Sequence, residues 1–221
     1  MTRLLFLLSI CLVLGLQAQA GAWPRAKGSG FISGAARLSW PQDLAAWTSM
    51  MPVSEYYTLY MEYGLSERIT IGFDLGRSVS GAGKTVGFAQ LPLRDAGRGP
   101  AISGQLGFGQ ISGRTVFRPG LSLGWGLRRG WASVDGVAEI RLDGGGSDVK
   151  LDMTYGRNLS KDRKLIVQFQ TGDTADDPPF ARIAPSLVSP LGKRLKMERG
   201  VTWGLAGDNS MGVKMGVWLD F

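Results

Sequence analysis

From about Gly28 to Phe221, apolar residues alternate with polar or small ones at every second position, and clusters of Gly, Asp, Asn and Pro interrupt the pattern at regular spacing. This period predicts β-strands with one apolar and one mixed face, and it marks about twelve of them. Ile32, Gly34, Ala36, Leu38 and Trp40 mark the first; Tyr57, Leu59, Met61, Tyr63 and Leu65 the second; Ile69, Ile71, Phe73 and Leu75 the third. The fourth, Val86 to Leu93, is the weakest because Pro92 cannot donate to a ladder, which predicts a bulge or an early end. Ile102, Leu106 and Phe108 mark the fifth, and Leu121, Leu123, Trp125 and Leu127 the sixth.

The second half repeats the arrangement. Ala132, Val134, Ala138, Ile140 and Leu142 mark the seventh strand, and Val149, Leu151, Met153 and Tyr155 the eighth. The ninth runs from Lys164 to Thr171, while Pro185 and Pro190 interrupt the tenth, Arg182 to Leu191. Leu195, Met197, Val201, Trp203 and Leu205 mark the eleventh. The last runs from Met211 to Phe221, with Gly212, Lys214, Gly216, Trp218 and Asp220 on its mixed face.

Connections alternate in length. Ser66-Glu67, Arg128 to Gly130 and Gly192 to Arg194 read as tight turns, whereas Pro41 to Glu55, Gln110 to Arg118 and Asp173 to Phe180 read as longer loops on the opposite rim. Strands this long can cross a bilayer, and aromatic residues such as Tyr57, Tyr63, Trp125, Trp131, Tyr155 and Trp203 stand near strand ends, as an interfacial belt requires. In hydrocarbon an open sheet edge leaves backbone groups unpaired at a cost of several kcal/mol each, so such strands must close into a barrel. The expected fold is therefore all-β, a single antiparallel transmembrane β-barrel of about 12 strands; counts of 10 or 14 fit the pattern too. A secreted β-sandwich would also alternate, but it requires neither the strand length nor the aromatic belt. Arg199 sits on the lipid-facing parity and calls for a bulge, a shorter strand or snorkelling.

A strand of this kind ending on an aromatic residue resembles the terminal strand of Gram-negative outer-membrane β-barrels. The resemblance implies outer-membrane lipid as the surroundings, barrel-assembly machinery and periplasmic chaperones as partners in biogenesis, and Trp218 and Phe221 as an assembly signal. The amino-terminal end agrees. A positive start at Arg3, an apolar run from Leu4 to Leu16 and the small-x-small site Ala18-Gln19-Ala20 read as a secretory signal peptide over 1–20. A periplasmic segment over 21–27 and the barrel over 28–221 would follow.

Processing also changes the available chemistry. The one cysteine, Cys11, leaves with the signal, so the mature chain has no thiol or disulfide. Losing Arg3 leaves 24 basic against 18 acidic side chains, a net of +6. These charges are scattered through alternating segments, which does not suit nucleic acid. The chain has no histidine, the residue that outer-membrane barrel hydrolase families place among their catalytic groups. No catalytic, cofactor or metal site is therefore expected. Gly81-Ala-Gly-Lys-Thr85 resembles the end of a phosphate-binding loop, but Ser78 stands where the motif needs glycine and a strand follows, so it reads as a surface loop. Asp143 to Asp148 and Asp173 to Asp177 could offer carboxylates to a divalent cation, with solvated loops as the simpler reading.

The remaining chemistry lies on the face turned away from lipid. In the first half it comprises Arg37, Tyr60, Glu62, Asp74 and Gln105. Asp135, Glu139 and Arg141 follow on the seventh strand, Lys150 and Asp152 on the eighth, and Gln168 and Gln170 on the ninth. Lys196, Glu198 and Lys214 complete the set. Inward glycines such as Gly72, Gly76, Gly107, Gly124 and Gly156 would leave added room or ease curvature. Such a lumen predicts a porin-like passive channel for a small polar or anionic solute. A non-conducting structural or surface-interaction barrel is the alternative.

Overall fold

The computed structural model describes residues 21–43, 51–97 and 99–221, and the signal peptide lies outside them. Among these residues are twelve strands: β1 (Gly30–Pro41), β2 (Ser54–Gly64), β3 (Thr70–Ser78), β4 (Gly83–Arg94), β5 (Ala101–Ile111), β6 (Arg114–Leu127), β7 (Gly130–Arg141), β8 (Ser147–Asn158), β9 (Lys164–Asp173), β10 (Phe180–Pro190), β11 (Leu195–Ala206) and β12 (Ser210–Asp220). Each pairs antiparallel with its sequence neighbours, and β1 pairs with β12 to close the barrel. Closure continues past the strands: Gly30 N donates to Phe221 O at 2.7 Å and Phe221 N to Gly30 O at 3.0 Å. The rim carrying Gly30 and Phe221 is called the near rim below.

The period-2 pattern sorts the walls as expected. Phe73, Leu106, Phe108, Leu121, Val201 and Met215 face outward and are exposed, forming an apolar outer band. Arg199 shares that outer parity, opposite Leu187. Its guanidinium hydrogen-bonds Ser189 Oγ at 3.0 Å, one residue from the near-rim end of β10. Of the three solutions open from the sequence, the arginine therefore uses snorkelling, which carries its charge toward the interface.

Several local expectations change. Gln110 to Arg118 is not a loop: Ile111 and Arg114 pair directly, and a two-residue turn, Ser112-Gly113, joins β5 to β6. Both residues have positive φ, 49° and 79°, which is the type I′ geometry that matches strand twist. The sequence obscured this turn because Ser-Gly is a weaker signal than Asn-Gly, and Arg118 interrupts an otherwise apolar and small stretch. β4 starts at Gly83 rather than Val86, so Lys84 and Thr85 belong to a strand and not to a surface loop. The bulge anticipated at Pro92 is present, since the register shifts between Pro92 and Arg94. β10 runs unbroken through Pro185 along β9, whereas its pairing with β11 passes from Ile183 to Ser186. A proline can stand in a strand where its missing N–H falls on such a gap. Trp131, expected in the aromatic belt, instead faces inward and is 4% exposed.

Inside, apolar side chains gather toward the near rim. Trp131, Ile166 and Val188 form a buried cluster, with Trp23 and Trp218 packed against it. Trp23 belongs to the segment ahead of β1, which enters the near mouth instead of running away from it. Gly28 N donates to Gly64 O at 2.9 Å at the rim. Deeper, Arg25 binds Glu62 on β2 and Thr70 on β3, at 2.6 and 2.9 Å. Gly21 lies against β4 and β5, where Gln90 and Ser103 donate to its carbonyl.

Candidate functional site: the charged lumen

A strand places every second side chain on the same wall, so twelve tilted strands bring residues far apart in sequence to one inner surface. Two cavities occupy it. One of about 480 Å³ lies in the far half and one of about 360 Å³ in the near half. They are contiguous, sharing Tyr60, Asp74, Gln105, Asp135, Asp152, Gln168 and Lys214 as walls.

Most of the residues anticipated from the sequence line this space: Arg37, Glu139, Lys150 and Gln170 in the far half, and Glu198 in the near half. The others project inward at the rims or under the amino-terminal segment. Glu62 is buried, taking Arg25 Nε at 2.6 Å and the Tyr60 hydroxyl at 2.6 Å. Lys196 pairs with Asp220 at 2.7 Å near the seam. Arg141 stands at the far end of β7, where it binds Asp148 at 3.2 Å and Asp176 at 2.7 Å. That hydrogen bond from Arg141 holds the loop carboxyl of Asp176 below its ordinary range. Arg114 lies 3.9 Å from Asp143. The two acidic loops considered for a divalent cation thus turn carboxylates onto arginines, and no cluster of three metal-ligating side chains occurs among the described residues.

The centre of the wall is an ion-pair belt that the sequence revealed only in part. Asp74 on β3 receives Lys84 at 2.7 Å and Arg118 at 2.6 Å; Arg118 also lies 4.0 Å from Glu139, which Lys150 meets at 2.5 Å. Five charges thereby connect β3 to β8. Arg118 must cross β5 and β4 to reach Asp74, and it can pass β5 because Gly107 opposite it has no side chain: a Cβ there would stand 3.3 Å from Arg118 Cβ. Its guanidinium passes over Phe88, 5.9 Å from the ring centre. Lys84 and Arg118 were missed because both lay in segments read as loops. Arg182, which lies 3.5 Å from Asp208, was missed among the prolines of β10.

Inner glycines do not simply widen the passage. Phe88 fills the space over Gly72, Tyr56 that over Gly76, Trp131 that over Gly156, and Ala22 with Trp23 that over Gly124. The missing side chains are seats for rings, an arrangement that stabilises sheet glycines by covering their backbone. Trp218 likewise points inward, donating to Glu198 at 3.1 Å and meeting Phe31 edge-on at 5.6 Å. Lys214 completes this group by binding Glu198 at 2.8 Å.

Four charged groups remain outside these pairs, among them Lys164, whose ammonium lies 5.1 Å from the centre of the Trp131 ring. Arg37 has the Tyr56 ring 5.9 Å from its guanidinium, and no carboxylate ion-pairs with it among the described residues. Asp135 and Asp152 stand directly opposite each other on β7 and β8, with no ion-pair partner among the described residues. Because β7 is six strands from β1 around a twelve-strand ring, the acidic pair and Arg37 belong to opposite walls.

A closed sheet with an apolar outside and a charged, water-accessible inside belongs to the transmembrane β-barrel class. Within it, the chain has the fold of outer-membrane porins. A KdgM porin solved with disordered oligogalacturonate aligns over 86% of this chain and 99% of its own, with a TM-score of 0.65 and 11% identity. A NanC porin aligns over 85% and 98%, at 0.64 and 10% identity. An outer-membrane channel from Pseudomonas putida F1 aligns over 92% and 99%, at 0.63 and 8% identity. No protein family and no curated protein matches the sequence.

Proposed function

We propose that this protein is a porin-like passive channel of a Gram-negative outer membrane, admitting small polar solutes, anionic ones included. The observation that carries this reading is the pair of adjoining cavities inside the barrel, lined by charged side chains. Arg37 offers a guanidinium without a carboxylate partner among the described residues, and Arg182 stands beside the same far cavity, so a carboxylate-bearing solute has cations to meet there. One structural neighbour was solved with oligogalacturonate, a solute of that chemistry.

In this reading the signal peptide is removed in export, the near rim faces the periplasm, and the far rim, with the loops after β7 and β9, faces outside. Lipid surrounds the outer band, and periplasmic chaperones and the assembly machinery deliver the chain. Trp218 is engaged inside the lumen, so Phe221, 52% exposed at the rim, is the better-placed element of an assembly signal. With no histidine in the chain, passage of solute is a better use of this wall than hydrolysis.

Planar-bilayer recordings test the reading. Folded protein, with and without residues 21–27, should give discrete conductance steps, and Arg37→Gln should lower the permeability of anions relative to cations. If neither form conducts, the channel reading fails. A non-conducting barrel is the second reading, favoured by Trp23 in the near mouth, and that outcome would select it.

A further inference from the structure

The segment ahead of β1 crosses the near mouth from β2 to β7, and each step of the crossing is held by side chains of the barrel. Arg25 lies between Glu62 and Thr70, with its guanidinium 4.8 Å from the centre of the Phe31 ring. Ala22 is 1% exposed and lies over Gly124 with Trp23. The carbonyl of Gly21 receives both Gln90 and Ser103. Six strands, β1 to β6, thus contribute to one docking site for residues 21–25.

At the inner end of this segment stands Asp135. Ser133 donates to its Oδ2 at 2.9 Å and Ser122 faces the carboxyl from the paired position on β6, yet its Oδ1 is buried without a well-formed hydrogen bond among the described residues. That oxygen occupies the space a Cβ of residue 21 would need, so it lies against the Gly21 backbone and only glycine fits there. A buried carboxylate oxygen without a donor is costly. The Ala18-Gln19-Ala20 site places signal cleavage at the bond before Gly21. Cleavage there would turn the amide nitrogen of Gly21 into an α-ammonium, a cation with three donors beside the oxygen that lacks one.

We propose that Asp135 is the binding site for the amino terminus of the processed chain, and that this ion pair pins residues 21–27 as a plug in the near mouth. Hydrolysis of the Ala20–Gly21 bond supplies the amine, which is protonated at neutral pH. The unprocessed chain has an uncharged amide at this place and cannot form the pair. The plug is therefore fastened only after export. The opposed Asp152 adds negative potential from the neighbouring strand. Because cleavage and docking are at issue rather than conduction, failure of this proposal leaves the channel reading intact.

The test compares three purified, folded proteins: the exported mature chain, its Asp135→Asn variant, and a chain refolded with three extra residues ahead of Gly21. Intact mass should show that the exported chain begins at Gly21. An α-amine-selective aldehyde should leave that amine unmodified in the folded mature protein and modify it once the protein is boiled. Trypsin should cut after Arg25 at least about tenfold faster in both altered proteins, because cleavage follows the population of the undocked segment. The extended chain keeps every barrel side chain, so a folding defect in Asp135→Asn cannot imitate the result. A mature terminus elsewhere, an amine modified equally fast before and after boiling, or equal cleavage in all three proteins would overturn the proposal.

Discussion

Arg118 reaches Asp74 across two intervening strands, and both residues are largely withdrawn from solvent, with side-chain exposures of 4% and 17%. Such a pair is held in place more by the cost of breaking it than by its net attraction. Asp74→Asn leaves Arg118 and Lys84 with one fewer carboxylate between them. We expect it to destabilise the folded barrel by about 3 kcal/mol in denaturant unfolding, the scale for orphaning a buried charge. It should also shift the reversal potential under a salt gradient toward anions. Arg199 presents the opposite case, a charge on the lipid side that costs little because its head group reaches Ser189 near the rim. Replacing it by Leu should change stability by no more than about 1 kcal/mol, the range for a cation close to the interface, whereas a charge at the midplane would yield about 2–4. The same unfolding measurement separates the two positions.

Among the connecting elements, the β5–β6 hairpin makes the sharpest claim. Ser112 adopts φ 49° and Gly113 φ 79°, a left-handed pair in which serine fits less well than asparagine. Ser112→Asn should stabilise the barrel by about 0.5 kcal/mol, and Ser112→Val should destabilise it; midpoints of thermal unfolding will show the difference in sign. This hairpin also shows where the sequence stopped being legible. Strand number, faces and closure follow from a period of two, which every strand repeats. Even the weak β4 signalled its bulge through Pro92. Strand ends at the far rim were harder, because Lys84 and Arg118 are long cations in Gly-rich stretches that read as loops by composition. Their role becomes visible only when register sets them against Asp74. Nor does a linear pattern indicate that an inner glycine will be covered by a ring from the next strand, as Phe88 covers Gly72. The inward turn of residues 21–27 was hidden for the same reason: Trp23 and Arg25 acquire partners only across the mouth.

At the scale of the whole molecule, continuity of the ladder decides whether there is a barrel at all. β1 and β12 pair from Phe31 with Asp220 to Pro41 with Ser210, and β12 pairs with β11 from Leu219 with Leu195 to Met211 with Trp203, so the seam is built like any other pair of strands. Val217 lies within both ladders, opposite Gly34 on β1 and Met197 on β11, with its side chain turned to the outer band. A proline there removes a donor on a wall bathed in hydrocarbon, where water cannot substitute for the lost partner. The contrast is Pro185 of β10, which sits where the pairing with β11 already skips from Ile183 to Ser186. Restoring its donor by Pro185→Ala should leave the fold unchanged. We therefore expect Val217→Pro to abolish the fast-migrating, detergent-resistant form on unboiled denaturing gels, and Pro185→Ala to retain it. Retention of that form in Val217→Pro would mean that the barrel tolerates a gap in its closing ladder.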